Sequence, residues 1–277
     1  MNRQLCLFVF ITVIASLAAL FSNGVDAGSA TEARITRVKN RVQLANSEQI
    51  VRLASVDEIV QEQTVVRTGN ASRSELAFDD QTVVRLLAHT AFDFNHGTRG
   101  LNLADGAVLV QAPKEAKGAT IHAGSVAAAV AGTTAMIEYH PGVYKFLVLE
   151  GTARIYRPGH LGDSVLVAPG QMVFGNPETA LSDPVDFDIQ RFTKTSHFIT
   201  DFPPLPSVKS IAAEGRKQQH EKSAKNLADT NLVIFGGGTQ LSVTDQQQPD
   251  TAGRNTAALA VPHRLQTLGP NVAPNLP

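Results

Sequence analysis

The sequence predicts an all-β domain, and two observations carry that reading. Across residues 35–174, short runs of β-branched and apolar residues are cut by turn residues at close spacing, and no stretch there sustains helical periodicity. Ile35-Thr36-Arg37-Val38 and Val42-Gln43-Leu44 flank Lys39-Asn40-Arg41, and Thr64-Val65-Val66-Arg67 ends at Thr68-Gly69-Asn70. Ser74-Glu75-Leu76-Ala77-Phe78 and Thr82-Val83-Val84-Arg85-Leu86 flank Asp79-Asp80-Gln81, which predicts a hairpin. Leu76 and Phe78 alternate there with Glu75 and Ala77, as a strand buried on one face requires.

The second half repeats the style over residues 107–111, 119–122, 134–139, 144–149, 153–156 and 164–167. His140-Pro141-Gly142 makes one turn and Glu150-Gly151-Thr152 another. Two tight turns around Phe146-Leu147-Val148-Leu149 predict a three-strand meander with that run buried in the middle. Residues 123–131 are rich in Ala and Val, but Gly124 and Gly132 bracket them and Val126 and Val130 are β-branched, so a strand is expected.

The ends differ from this core. Residues 1–27 have one early cation, Arg3, then an apolar run over 5–21 and a polar stretch closing Val25-Asp26-Ala27, the plan of a signal peptide with the mature chain starting at Gly28. A retained anchor is the competing reading, because the apolar run sits near the lower length limit for a membrane span. Residues 31–176 form the expected β domain. Residues 177–206, with Pro203-Pro204 and Pro206, read as an extended strap on its outside, and residues 207–230 as a solvated helix or linker with a weak apolar face. Residues 231–277, with Gly236-Gly237-Gly238 and Gln246-Gln247-Gln248, offer little apolar area against the entropy of ordering and are expected to be disordered.

Composition excludes several classes of function. The single cysteine, Cys6, leaves with the signal segment, so thiol, disulfide and Cys-metal chemistry are not expected. A net charge of −1 lacks the basic surface that drives nucleic-acid binding. The eight histidines are dispersed without HxH or HExxH spacing. His89, Asp93 and His96 are the nearest local grouping, and spacing alone does not converge them. There is no GxSxG elbow, and Asp79-Asp80 at a hairpin tip is turn chemistry. Gly236-Gly237-Gly238 lacks the Gly-Lys-Ser/Thr of a phosphate loop. No catalytic residue, metal or cofactor is expected.

Two blocks carry a family resemblance. The first runs Val65-Val66-Arg67-Thr68-Gly69-Asn70-Ala71-Ser72-Arg73-Ser74-Glu75-Leu76-Ala77-Phe78-Asp79-Asp80-Gln81-Thr82-Val83-Val84-Arg85-Leu86. The second is Val130-Ala131-Gly132-Thr133-Thr134, then Val148-Leu149-Glu150-Gly151-Thr152-Ala153-Arg154-Ile155, then Val167-Ala168-Pro169-Gly170-Gln171. Together they resemble the FecR domain family: its R-T-G turn, S-R-x-E-L-x-F strand, D-G-T turn, V-R-G-T strand, V-L-E-G strand and closing P-G-Q turn. Departures are Gln81 at the usual turn glycine, Ala131 where Arg or Lys is frequent, and Thr134-Ala135 for an acidic-aromatic pair.

The resemblance implies a roll of short stacked strands, solenoid-like or jelly-roll-like. It also implies an exported, periplasmic or secreted role in signalling or assembly. The motif residues Arg67, Gly69, Arg73, Glu75, Gly132, Glu150, Gly151 and Gly170 are expected to be architectural. Gly69, Gly132, Gly151 and Gly170 stand at reversals that favour glycine, and Arg73 and Glu75 share a strand face from which they can reach charges on a neighbouring strand. With no cytoplasmic segment before the apolar run, the resemblance reaches only the periplasmic half of sigma-regulating relatives. The expected partner is an unidentified protein or cell-envelope polymer, with no nucleic acid and no stable membrane span after signal cleavage. Competing readings are a structural envelope protein without a discrete ligand and a cupin-like metal enzyme, the latter lacking a His-x-His pair with a downstream Glu.

Overall fold

The computed structural model describes residues 32–221, except Gln49 and His96, together with Leu227 and Ala228. The expected signal peptide, the tail at 231–277 and most of the segment after residue 221 lie outside the described residues. Strands follow one another as β1 (Glu32–Lys39), β2 (Val42–Ala45), β3 (Val51–Leu53), β4 (Ile59–Gln61), β5 (Val65–Thr68), β6 (Arg73–Phe78), β7 (Val83–Leu86), β8 (Ala91–Asn95) and β9 (Gly100–Ala112). They continue as β10 (Ala119–Ala123), β11 (Val126–Val130), β12 (Thr133–His140), β13 (Val143–Glu150), β14 (Ala153–Tyr156), β15 (Ser164–Val167), β16 (Gln171–Gly175) and β17 (Val185–Asp186). Three helices come last: α1 (Ile189–Thr195), α2 (His197–Thr200) and α3 (Val208–Glu221).

The strands make two layers that share one long member. Sheet A pairs β4-β1-β6-β7-β9-β12-β13-β16-β17, antiparallel throughout. Sheet B pairs β3-β2-β5-β8-β9-β10-β11-β14-β15, with the β9–β10 pair its parallel step. Strand β9 lies in both: its first half pairs with β8, and from Gly106 onward it pairs with β12. From β10 on, the chain lays two strands in one sheet and then two in the other, so each new hairpin stacks on the last.

This architecture is the all-β roll of short stacked strands. Alternation does the sorting. On sheet A, Leu76, Val84, Val108, Ile137 and Phe146 point inward; on sheet B, Leu44, Phe92, Leu103, Ile121 and Ile155 meet them in one core. Phe78 and Phe94 lock the layers edge to face, with ring centroids 5.0 Å apart.

Residues 126–130 form a strand as expected, and 74–78 pairs with 83–86 in the expected hairpin. Gln81 itself takes the left-handed conformation at that tip, with φ 66°. The expected three-strand meander is corrected. Strand β13 pairs with β12 and β16, whereas the Glu150-Gly151-Thr152 turn sends β14 into the other sheet, beside β11 and β15. The run at 146–149 is buried for a different reason: a second apolar layer covers its outer face.

That layer corrects the extended strap at 177–206. Sheet A continues into this segment through β17, and α1 and α2 follow. Asp188 caps α1 by accepting from Arg191 N at 2.9 Å, and Ser196 caps α2. Helices of seven and four residues are too short to write a periodic pattern into the sequence. Phe187, Ile189, Phe192, Phe198, Leu205 and Ile211 pack on Leu109, Met136, Leu147, Leu149 and Met172, the outward side chains of sheet A. Helix α3 is largely exposed and docks along a narrow stripe of Ile211, Gly215 and Gln218. Among the described residues no helix is long and apolar enough to cross a membrane.

Candidate functional site

Register on sheet A brings the charged motif residues together. Arg37, Glu75, Arg85, Leu109, Met136, Leu147 and Met172 stand opposite one another on successive strands, so one row passes from charged to apolar across the outer face. Within it, Arg85 is 2% exposed. Its Nε donates to Glu75 Oε2 at 2.7 Å, Nη1 to the Phe198 carbonyl at 2.7 Å and Nη2 to the Pro203 carbonyl at 2.5 Å. Its guanidinium lies 4.8 Å from the Phe202 ring centroid. Burial lowers the Arg85 pKa, against the hydrogen bond and charge of Glu75.

Glu75 also accepts from Thr36 Oγ1 at 2.7 Å. Arg73, two residues earlier on the same face, sits 3.3 Å from Asp201, which Lys39 and His197 also approach. The Arg73/Glu75 pattern therefore fastens the segment around residues 196–203 to the sheet. Arg85 is the centre of this latch, and sequence reading did not single it out; its apolar neighbours Val83, Val84 and Leu86 mark it as a charge inside a buried strand.

The motif turns gather at the other end of the same face. Gly132, Gly151 and Gly170 adopt φ of 57°, 76° and 75°. A Cβ on Gly151 would lie 2.3 Å from the Gly132 carbonyl oxygen, so these turns pack backbone to backbone. At Gly170 the neighbour is helix α3: an added Cβ would lie 2.4 Å from Gln218 Nε2. Gln218 donates to the Phe187 carbonyl at 2.7 Å and accepts from Ile189 N at 3.1 Å, joining α3 to α1 across the turn.

Gly69 is a correction. Its backbone N donates to the Arg41 carbonyl at 2.9 Å, and the left-handed residue of that turn is Ala71, with φ 49°. Glu150 accepts from Thr134 Oγ1 at 2.8 Å, and Thr134 shares a further 2.8 Å contact with Ser207 Oγ. Burial raises the Glu150 pKa and Glu214 adds to the rise, against the Thr134 bond and Lys114. An open groove of ≈ 560 Å³ lies over these turns, with Gly132, Gly151, Pro169 and Gln171 on the sheet side and Glu214, Lys217 and Glu221 on α3. Arg67 projects from β5 as an exposed residue.

A titratable cluster lies on the outer face of sheet A, where Glu138 stands opposite Lys145. Lys145, buried, lies 2.6 Å from Glu138 Oε2, and His140 Nδ1 lies 2.7 Å from Asp105 Oδ1. Hydrogen bonding to Glu138 raises the His140 pKa, with Asp105 adding to the rise and burial opposing it. For Glu138, burial pushes the pKa up but His140 and Lys145 outweigh it and the net shift is downward. Among the described residues no group of three or more His, Cys, Asp or Glu side chains is placed to hold a metal ion. His96 of the His89, Asp93 and His96 grouping lies outside them.

Exposed apolar side chains are concentrated elsewhere. Among the described residues the large ones are Ile50, Val51, Leu53, Val56, Leu161, Leu166, Val185 and Val208. All but Val208 lie in or beside β3, β15 and β17, strands that end the two sheets. Nothing in the sequence reading marked Val51 or Leu53; their alternation about Arg52 is the available signal.

Residues 64–154 match the family described as FecR protein. No curated protein matches the chain. Two crystal structures of a "putative anti-sigma factor" from Parabacteroides distasonis ATCC 8503 are similar. The one at 1.65 Å is 15% identical with TM-score 0.41, covering 47% of this chain and 62% of its own. The one at 2.50 Å is 11% identical with TM-score 0.39, covering 60% of this chain and 96% of its own. The chain thus spans less than two thirds of the first structure's length. Over residues 64–154 this chain is thus similar to the FecR protein family.

Proposed function

We propose that this chain is an exported, non-enzymatic interaction module of the bacterial envelope, acting in sensing or assembly. One observation carries the reading. Three charged residues of the FecR motif are taken up in internal bonds, Arg73 and Glu75 in the latch around Arg85 and Glu150 with Thr134, while apolar side chains stand exposed at the sheet edges. Bound charges do not offer an acid/base pair to a substrate, and free strand edges are where proteins add a partner's strand.

The match at 64–154 supports a regulatory interaction role, and the leader-like residues 1–27 support export with residence in the periplasm or outside the cell. The test is capture of proteins from an envelope extract of the host by the immobilised chain, with mass spectrometry of what binds. A defined partner other than the chain itself is expected; recovery of the same proteins as on bare resin would overturn the reading.

A further inference from the structure

The two open ends of sheet B differ in sequence but match in kind. Among the described residues β3 has β2 as its one neighbour in that sheet, and β15 has β14, so each is an edge strand at an opposite end of the nine-strand order. The strands are three and four residues long. Val51 stands opposite Ala45 and Leu53 opposite Gln43, on the outer face; Leu166, opposite Arg154, is on the outer face at the other end. Leu53 is 66% exposed and Leu166 55%. Arg52, the one charge within β3, is ion-paired to Glu58 and so leaves Val51 and Leu53 as the features of the edge.

The two ends also differ in charge. Around β3 stand Glu48, Asp57, Glu58 and Glu62, with Arg52 paired to Glu58 and Arg34 donating to the Asp57 carbonyl; around β15 Arg157 is paired to Asp163 and donates to the Glu178 carbonyl, and Arg154 stands exposed. Sheet A does not share the opportunity at the β15 end. There the chain's own Ala228 donates to the Asp186 carbonyl at 2.8 Å and bridges Phe187, next to the edge strand β17.

We propose that copies of this chain stack head to tail, with β15 of one copy paired to β3 of the next. This rests on the reading of the chain as an interaction module and adds a second copy of the chain to what it binds. Pairing continues sheet B across the junction, satisfies backbone groups that both edges otherwise leave to water, and brings Leu166 beside Val51 and Leu53 on one face. The acidic surroundings of β3 and the exposed Arg154 beside β15 favour this order over like-with-like pairing. Because the joined surfaces are different patches at opposite ends, the contact is heterologous and repeats without closing.

The experiment uses the full chain recovered after export, followed by sedimentation across a wide dilution series. Wild type is expected to grow with concentration beyond a dimer. Leu53→Lys and Leu166→Lys change exposed side chains at opposite ends, so each alone is expected to be monomeric with an unchanged unfolding midpoint. Mixed in equal amounts, they restore one intact pair of ends and are expected to form a dimer that goes no further. A wild type that stays monomeric, or variants that keep the wild-type mass, overturns the stacking. The interaction reading is judged separately: a monomeric wild type that still captures a defined foreign partner sinks the stacking and leaves that reading standing.

Discussion

The outer faces of the two sheets began with the same strand alternation and ended in different surroundings. On sheet A the outward positions hold Leu109, Met136, Leu147, Leu149 and Met172, and a helical layer covers them. On sheet B the outward positions hold Asn102, Thr120, His122, Ala129 and Arg154, and they remain partly or fully exposed. Burying a large apolar side chain is worth about 1.5–3 kcal/mol, so the five on sheet A can hold down three short helices that would not be stable alone. Small and polar side chains offer no such return. Among the described residues a third layer therefore forms over sheet A and not over sheet B.

The sharpest way to break this contrast is to cut the latch. Arg85→Ala leaves the Glu75 carboxylate buried beside two carbonyls without their donor, and we expect a loss of about 3–5 kcal/mol in urea unfolding. Arg154→Ala, on the bare face of sheet B with a single 3.1 Å bond to Ser164, is expected to change stability by less than about 0.5 kcal/mol. Equal losses at the two sites would mean that the helical layer contributes nothing particular.

A smaller effect is expected at the P-G-Q turn. Gly170→Ala forces a side chain into left-handed backbone and toward a Gln218 amide that is fixed by two hydrogen bonds. A cost of about 2 kcal/mol is expected. Hydrogen exchange should show it as faster opening of α3 and α1 with little change in sheet B; uniform acceleration across both sheets would contradict the view that this turn serves the helical layer.

Much of this contrast was legible in the sequence on the strand side and little on the helix side. Leu76 and Phe78 alternating with Glu75 and Ala77 announced a one-sided strand, and the uninterrupted Phe146-Leu147-Val148-Leu149 announced burial on both faces. What covered the second face was not readable, because α1 and α2 carry three buried apolar residues, Ile189, Phe192 and Phe198, too few to show a period. The partner of each strand was equally hidden. A turn such as Glu150-Gly151-Thr152 has the same chemistry whether it folds β14 back on β13 or turns it into the other sheet, and the choice is made by the stacking of earlier hairpins. For the candidate site, Arg73 and Glu75 were legible as charges sharing a face, but Arg85, Asp201 and Gln218 become partners only across long chain separations.

The smallest expected effect tests the titratable cluster around His140 on sheet A's outer face. The folded state raises the His140 pKa, so it binds the imidazole proton more tightly than the unfolded chain does. That contribution is fully present below the unfolded value, about pH 6.5, and is lost as pH rises through the folded value. Glu138 has the opposite sense: its lowered folded pKa stabilises above the unfolded value and is lost as pH falls through the folded one. Urea midpoints should therefore decline from about pH 6 to about pH 8 in the wild type and decline less in His140→Gln. The difference should be modest and weaker at high salt, because Asp105 and His140 both face solvent. An identical decline in the variant would assign the pH dependence of this range to groups other than His140.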